Sequence, residues 1–308
     1  MLGKSLELPL CLFFNQFTKV HFSSISNFAI LAKAITQVEN SLDGFDVTLL
    51  SIQPKAIPVI GFTGPPGAGK STLLNATVAQ LLDEGKKIGL LLIDPSSPFN
   101  FGAILGDRLR LSDHFNNPNL FIRSLATRGS LGGLSDTIVE VLEVMKSYSF
   151  DYIFIETVGV GQSEVEIAGL ADKTVLVLVP EAGDSVQAMK AGIMEIADVF
   201  VVNKADHTDA ENMERAIRTQ LHLAGKDFIP VVKTVAVTSL GVKELIATFS
   251  SKGSINSERK SKLLLSKALK IIQREKMKNF DVQKIAVQLA EASTQSNFNL
   301  YRFTKQFL

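Results

Sequence analysis

Residues 57–72 read IPVIGFTGPPGAGKST, an apolar segment that leads directly into a glycine-rich loop. The loop fits the pattern G-x-x-x-x-G-K-[ST], and residues 73–82 after it repeat apolar side chains at helical spacing. Glycines let such a loop turn its backbone N–H groups toward a phosphate, while the lysine adds a positive charge and the serine offers a hydroxyl to Mg²⁺. The sequence therefore predicts a nucleoside triphosphate site. Its predicted phosphate-binding residues are Gly64, Pro65, Pro66, Gly67, Ala68, Gly69, Lys70, Ser71 and Thr72.

Short apolar runs alternate with helical patterns on both sides of this loop. The runs cover residues 57–62, 88–93, 120–122, 152–155, 174–179, 199–202 and 229–232. Continuous apolar runs are typical of strands that are buried on both faces of a parallel sheet. Residues 190–197 and 210–224 are predicted to form covering helices. The predicted fold class is a three-layer α/β P-loop NTPase with a mostly parallel sheet and helical N- and C-terminal extensions.

The identity of the base is predicted from Asn203-Lys204-Ala205-Asp206, an N-K-x-D pattern that follows the apolar run 199–202. A fixed carboxylate at Asp206 can accept hydrogen bonds from both N1–H and the 2-amino group of guanine. Adenine has neither donor, so its binding would leave a desolvated charge unpaired. Lys204 can lie over the base, and Asn203 can tie this segment to the phosphate loop. The pattern predicts GTP as the nucleotide.

Three acidic residues are candidates for holding Mg²⁺ near the terminal phosphate. Asp94 and Glu156 each close an apolar run, and Asp107 lies in a loop between elements. A carboxylate at the carboxyl end of a parallel strand lies at the edge where such sheets bind ligands. Gly159 is expected to offer its N–H to the γ-phosphate and to move when that phosphate leaves. Gln162 is a candidate for orienting the attacking water, although no residue stands out for that role.

Several long strings of the chain resemble the MeaB/ArgK-type GTPases, G proteins of the SIMIBI class that act as chaperones of methylmalonyl-CoA mutase and related adenosylcobalamin enzymes. The strings are ETVGVGQSE at 156–164, DPSSPF at 94–99, AILGDR at 103–108, RSLATRGSLGGLS at 123–135 and NKAD at 203–206. The resemblance spans about residues 27 to 250. One departure is Asn100-Phe101, which stands where the family usually has small residues in a loop expected to move with nucleotide state.

The resemblance implies a role for each matching position. Mg²⁺ would be handled by Ser71, Asp94, Asp107 and Glu156, and Lys70 with these three acids would form the catalytic group. The base-side loop would add Val235, Ala236 and Val237 to the guanine contacts. Asp184, Gln187 and Lys190 would form a switch that links the nucleotide to an adenosylcobalamin-dependent acyl-CoA mutase. The family also implies a homodimer formed through the C-terminal helices.

Bulk properties argue against several other classes of protein. The net charge of +1 gives no general attraction to nucleic acid or to an anionic membrane, and no apolar run is long enough to span one. Cys11 is the single cysteine, so no internal disulfide can form, and we expect a cytoplasmic location. The four histidines are scattered without the spacing of metal ligands, which argues against a zinc or nickel site built by the protein.

Four segments are predicted along the 308 residues. Residues 1–26 are an unmatched N-terminal extension, and residues 27–55 are a helix followed by a linker. Residues 56–250 form the GTP-binding domain, and residues 251–308 form a basic helical extension that packs on the domain or on another subunit. The predicted function is Mg²⁺-dependent GTP hydrolysis that gates cobalamin loading or protection of the mutase. The alternatives are a P-loop kinase for a small molecule or transport protein, and a nickel-insertion GTPase of the same class.

Overall fold

The computed structural model describes residues 27–94, 114, 116–126, 137–157, 167–180, 195–250, 257–277, 280–295 and 297–307. The chain divides into two compact units, Met1–Ile255 and Asn256–Leu308. No helix among the described residues is both long enough and apolar enough to cross a membrane.

One parallel sheet forms the centre of the first unit. Its strands are β1 (Val59–Thr63), β2 (Ile88–Asp94), β3 (Leu120–Ala126), β4 (Tyr152–Glu156), β5 (Lys173–Leu178), β6 (Val199–Val202) and β7 (Val231–Lys233). They lie in the order β3-β2-β4-β1-β5-β6-β7, and every neighbouring pair is parallel. Each strand overlaps one of the seven predicted apolar runs, although β3 extends four residues beyond its run, and the parallel α/β class is confirmed.

Helices cover both faces of this sheet. In the first unit they are α1 (Phe28–Glu39), α2 (Phe45–Ser51), α3 (Lys70–Asp83), α4 (Ile138–Lys146), α5 (Ala210–Leu223) and α6 (Val242–Phe249). Helices α3 and α6 pack on one face with Phe62 and Phe154, whereas α1 and α4 pack on the other with Ile153 and Ile155. Alternate residues of β5 divide between the faces, since Val175 contacts the α3 side and Leu176 packs with α5. The result is the predicted three-layer arrangement.

The linker predicted between Gly44 and β1 is wrong for residues 45–51, which form helix α2, whereas residues 52–58 form neither helix nor strand. Gly44 adopts a left-handed conformation with φ +83° and begins the helix. Thr48 is buried, and Phe45 and Leu49 pack against the core beside α1. Packing of these apolar side chains therefore stabilises the segment as a helix on the surface of the domain. The helix predicted at 190–197 lies mostly outside the described residues, and residues 195–197 within them are not α-helical.

The second unit contains helices α7 (Ser257–Met277), α8 (Val282–Ser293) and α9 (Leu300–Lys305). Asp281 and Asn299 cap the last two by accepting hydrogen bonds from the backbone N–H groups of Lys284 and Arg302, each at 2.9 Å. Neither α8 nor α9 contains a buried residue.

Candidate active site

The phosphate loop joins β1 to α3 at the carboxyl edge of the sheet. Three of its glycines have backbone angles that other residues rarely adopt, φ +141° at Gly64, φ +76° at Gly67 and φ +81° at Gly69. A Cβ atom at Gly64 would lie 2.1 Å from the carbonyl oxygen of Val177 in β5. The loop can therefore approach the neighbouring strand only because this position lacks a side chain.

The Lys70 side chain folds back over the loop. Its ammonium nitrogen donates hydrogen bonds to the carbonyl oxygens of Gly64, at 2.9 Å, and Pro65, at 3.0 Å. The residue is only 7% exposed although it begins helix α3. The positive charge is thus held inside the loop, next to the helix N-terminus, where both attract an anion.

Ser71 and Glu156 meet beside the loop. The Ser71 hydroxyl donates to a carboxylate oxygen of Glu156 at 2.6 Å, and Glu156 is 7% exposed. Glu156 ends β4 opposite Phe62 of β1, so strand pairing places the acid next to the phosphate loop. A hydroxyl and a carboxylate are hard oxygen ligands of the kind that Mg²⁺ prefers. The chemistry of this pair fits that ion.

The other predicted residues of the phosphate side are only partly described. Asp94 ends β2, which pairs with β4, so its backbone lies at the same edge of the sheet. Its side chain lies outside the described part of the structure. The following predicted residues also lie outside it: Asn100, Phe101, Asp107, Gly159, Gln162, Asp184, Gln187 and Lys190.

Asn203 connects the phosphate loop to the other half of the site. Its side-chain NH₂ group donates to the carbonyl oxygen of Ala68 in the loop at 2.9 Å. Its side-chain oxygen accepts hydrogen bonds from the Thr234 hydroxyl at 3.0 Å and from the Ala236 N–H at 3.3 Å. Asn203 is 2% exposed, so these bonds are shielded from water. One buried amide therefore joins three segments.

A cavity of about 380 Å³ opens beside this junction. Its size falls within the usual range for small-molecule sites, about 300–1,000 Å³. It is lined by Gly69, Thr72, Asn203, Lys204, Asp206, His207, Val235, Ala236 and Val237. This one cavity is lined by all six residues that were predicted to contact the base. Gly69 and Thr72 extend its lining into the phosphate loop.

Lys204 has an unusual backbone conformation at this cavity. Its φ of +53° is left-handed, a region that residues other than glycine rarely occupy. The next residue, Ala205, donates its N–H to the carbonyl oxygen of Thr234 at 3.0 Å, which holds the segment against the end of β7. A strained backbone persists only where surrounding contacts hold it, and such residues are common at ligand sites.

Sequence reasoning missed Thr234 and His207. Thr234 is fully buried and follows β7 directly, so a polar residue at the carboxyl end of a predicted strand is the signal that points to it. His207 lines the cavity next to Asp206. Its position immediately after the N-K-x-D pattern is the only sequence signal for it.

Charged contacts join helix α5 to the end of β7, next to the cavity. Burial would raise the pKa of Glu214 in α5, but hydrogen bonds from Arg218 and Lys233, with the charges of both, outweigh it and lower that pKa. The Lys233 ammonium lies 3.3 Å from Glu214 and the residue precedes Thr234 in the chain. At the start of β5, burial lowers the pKa of Lys173. The negative charge of Asp198 acts in the other direction but has the smaller effect.

A protein-family model described as methylmalonyl Co-A mutase-associated GTPase MeaB matches residues 31–284 of this chain. The chain belongs to the MeaB family. It is 47% identical over 223 residues to a Pyrococcus horikoshii protein named "Putative GTPase", covering 70% of each chain. It is 36% identical over 209 residues to GTPase ArgK of Escherichia coli, covering 65% of this chain and 63% of ArgK.

A solved structure agrees with these relatives. The crystal structure of a protein named LAO/AO transport system kinase matches with a TM-score of 0.61 and 25% identity, covering 90% of this chain and 91% of that one. The resemblance drawn from the sequence strings is therefore confirmed, as is the P-loop α/β fold. This MeaB-family chain is a GTPase of the MeaB/ArgK class.

Proposed function

We propose that this GTPase uses Mg²⁺ to hydrolyse GTP and uses its nucleotide state to act as a chaperone of a cobalamin-dependent acyl-CoA mutase, with methylmalonyl-CoA mutase as the first candidate. The observation that carries the proposal is the family match over residues 31–284, whose description names a mutase-associated GTPase. A site that joins a phosphate loop to a base cavity through Asn203 supports it. Gating of cofactor loading, or protection of the loaded enzyme, is the proposed task.

On the phosphate side, the residues supply charge and position. Lys70 would release the loop carbonyls that it now contacts and stabilise negative charge on the β- and γ-phosphates. The residues that would hold Mg²⁺ are Ser71, Asp94, Asp107 and Glu156. The ion would supply neutralisation of phosphate charge. The N–H of Gly159 would contact the γ-phosphate and change position when it leaves.

On the base side, Asp206 would select guanine by accepting hydrogen bonds from N1–H and the 2-amino group. The aliphatic stem of Lys204 would cover one face of the base while its ammonium stays in water. Val235, Ala236 and Val237 would form the remaining wall, since all three line the cavity. Asp184, Gln187 and Lys190 would transmit nucleotide state to the mutase.

The proposal is tested by capture of purified methylmalonyl-CoA mutase on the immobilised full-length chain. Capture should differ between GDP and a non-hydrolysable GTP analogue, because a nucleotide shifts a binding equilibrium only if it favours one state. The Asp206→Asn variant is the matched control. Its capture should respond to xanthosine nucleotides instead of guanosine nucleotides, because the 2-oxo group of xanthine no longer needs a carboxylate. Equal capture under every nucleotide condition, or none, contradicts the chaperone role.

The matching crystal structure is of a protein named as a transport system kinase, which keeps phosphoryl transfer to another acceptor as a second candidate. Incubation with γ-labelled GTP separates the two reactions. We expect the label in free phosphate. Label on a protein or a metabolite would favour the kinase.

A further inference from the structure

One residue that lines the cavity carries an aromatic ring that neither the sequence patterns nor the family resemblance assigns. Of the nine described residues that line it, His207 alone carries such a ring. The His207 side chain is 36% exposed, so part of the ring is buried and part faces the cavity or solvent. The flat face of a purine is best covered by another flat or aliphatic surface.

The His207 ring is held in place before any ligand binds. Its backbone N–H donates to the carbonyl oxygen of Lys204 at 3.0 Å, and its own carbonyl oxygen accepts from the Ala210 N–H at 3.1 Å. Its Nδ1 atom accepts a hydrogen bond from the Asp209 N–H at 3.3 Å. The backbone is thus fixed between strained Lys204 and the start of helix α5, and the ring is fixed to the same turn. A side chain ordered in advance loses little entropy on binding.

The other described residues that line the cavity do not supply an aromatic surface. The amide of Asn203 is engaged with the phosphate loop and Thr234, and the Asp206 carboxylate suits the hydrogen-bonding edge of guanine. Val235, Ala236 and Val237 offer only aliphatic groups. The Nδ1 atom of His207 already accepts a hydrogen bond from the Asp209 N–H, so the ring faces and the Nε2 edge are what the side chain has to offer a ligand.

We propose that His207 is a base-binding residue that contacts the face of the purine through its ring. Asp206 distinguishes guanine from other purines, and His207 adds affinity for the flat base itself. This inference rests on the proposed assignment of the cavity to the guanine base. It predicts that the two residues fail in different ways when replaced.

The test is calorimetric titration of the full-length chain with GDP and with xanthosine diphosphate. We expect His207→Ala to raise the Kd for GDP about threefold to tenfold, as expected for loss of one ring contact. His207→Phe keeps a ring but cannot accept the Asp209 N–H, so its Kd should lie between those of the original chain and the alanine variant. His207→Gln, which keeps polar atoms without a ring, should resemble the alanine variant. The melting temperature without nucleotide should be unchanged in all three variants.

His222→Ala is the control, because His222 is 77% exposed and contacts Asp227 away from the cavity. The inference is overturned if His207→Ala binds GDP like the original chain, or if His207→Gln keeps affinity while His207→Phe loses it. Asp206→Asn separates this result from failure of the site itself. If Asp206→Asn weakens GDP and favours xanthosine diphosphate while His207→Ala does nothing, only the inference fails. If Asp206→Asn also changes nothing, the base assignment fails.

Discussion

The phosphate loop is one run of nine residues, 64–72, whereas the walls of the proposed base cavity come from three separate stretches of chain. The loop takes its shape from glycines with positive φ and from the helix that begins at Lys70. The base side has no such local determinant. Its stretches after β6 and β7 are joined to each other and to the loop by the buried side chains of Asn203 and Thr234.

The difference indicates how each half should respond to substitution. The phosphate side depends on charge and on local backbone conformation, so replacement of a loop residue should act directly on binding or hydrolysis. The base side depends on buried hydrogen bonds between distant residues. Loss of one such bond leaves a buried polar group without its partner and loosens several segments together.

The largest effect is expected for Lys70→Ala. Removal of the ammonium takes away charge that stabilises the transferring phosphoryl group, so kcat should fall at least about 100-fold. Release of phosphate at saturating GTP measures it. Lys87→Ala is the control, because Lys87 is exposed just before β2. A variant at position 70 that keeps the original turnover would remove this side chain from the proposed mechanism.

Gly69→Ala tests the junction between the halves. A Cβ atom there would lie 2.4 Å from the side-chain nitrogen of Asn203, and the residue has φ +81°. We expect GDP affinity to fall at least about tenfold because the amide must move. Gly85→Ala is the matched control, since Gly85 has φ +76° with nothing within 4 Å of a new Cβ. It should lower stability by about 1 kcal/mol through backbone strain and leave GDP binding unchanged. Similar GDP affinity in both variants would refute the clash.

The strands and the phosphate loop could be predicted because their signals are local. Each strand overlaps a short apolar run, and the loop is a contiguous pattern. Helix α2 could not be predicted in the same way, since Gly44 and Pro54 resemble the punctuation of a linker. What makes it a helix on the domain is the packing of Phe45 and Leu49 against the core, which depends on tertiary contacts.

Within the site, Asn203 was predictable from its pattern, but its partner was not. Thr234 lies 31 residues further along the chain, and its position after a predicted strand marks a sheet edge but not a hydrogen bond to Asn203. The same holds for His207, whose ring is placed by a turn that starts from the left-handed Lys204. Residues whose role depends on a distant contact need the fold before they can be recognised.

Thr234→Val measures the buried bond between the two base-side stretches. The change keeps the shape of the side chain and removes the hydroxyl that donates to Asn203, so the Kd for GDP should rise about fivefold. Thr77→Val is the matched control. Thr77 is also fully buried, but its hydroxyl donates to the carbonyl oxygen of Leu73 within α3. Calorimetry should show unchanged GDP affinity in that control, and an equal loss in both variants would assign the effect to general loosening of the core.

The smallest effect is expected for Glu214→Gln, which weakens the support of β7, the strand that precedes Thr234. Contacts with Arg218 and Lys233 lower the pKa of Glu214 in the folded state, so its ionised form stabilises the fold above the ordinary value of 4.5. That contribution is lost as the pH falls through the lowered pKa. The variant should therefore be less stable at pH 7 by about 0.5–1 kcal/mol, a modest value because Glu214 is partly exposed. Urea unfolding at pH 7 and at progressively lower pH should show the difference shrinking below the ordinary pKa.

Glu211→Gln removes an exposed i,i+4 contact with Arg215 and should show almost no difference at any pH. A Glu214→Gln effect that persists unchanged in acid would mean that shape, and not charge, fixes the end of β7.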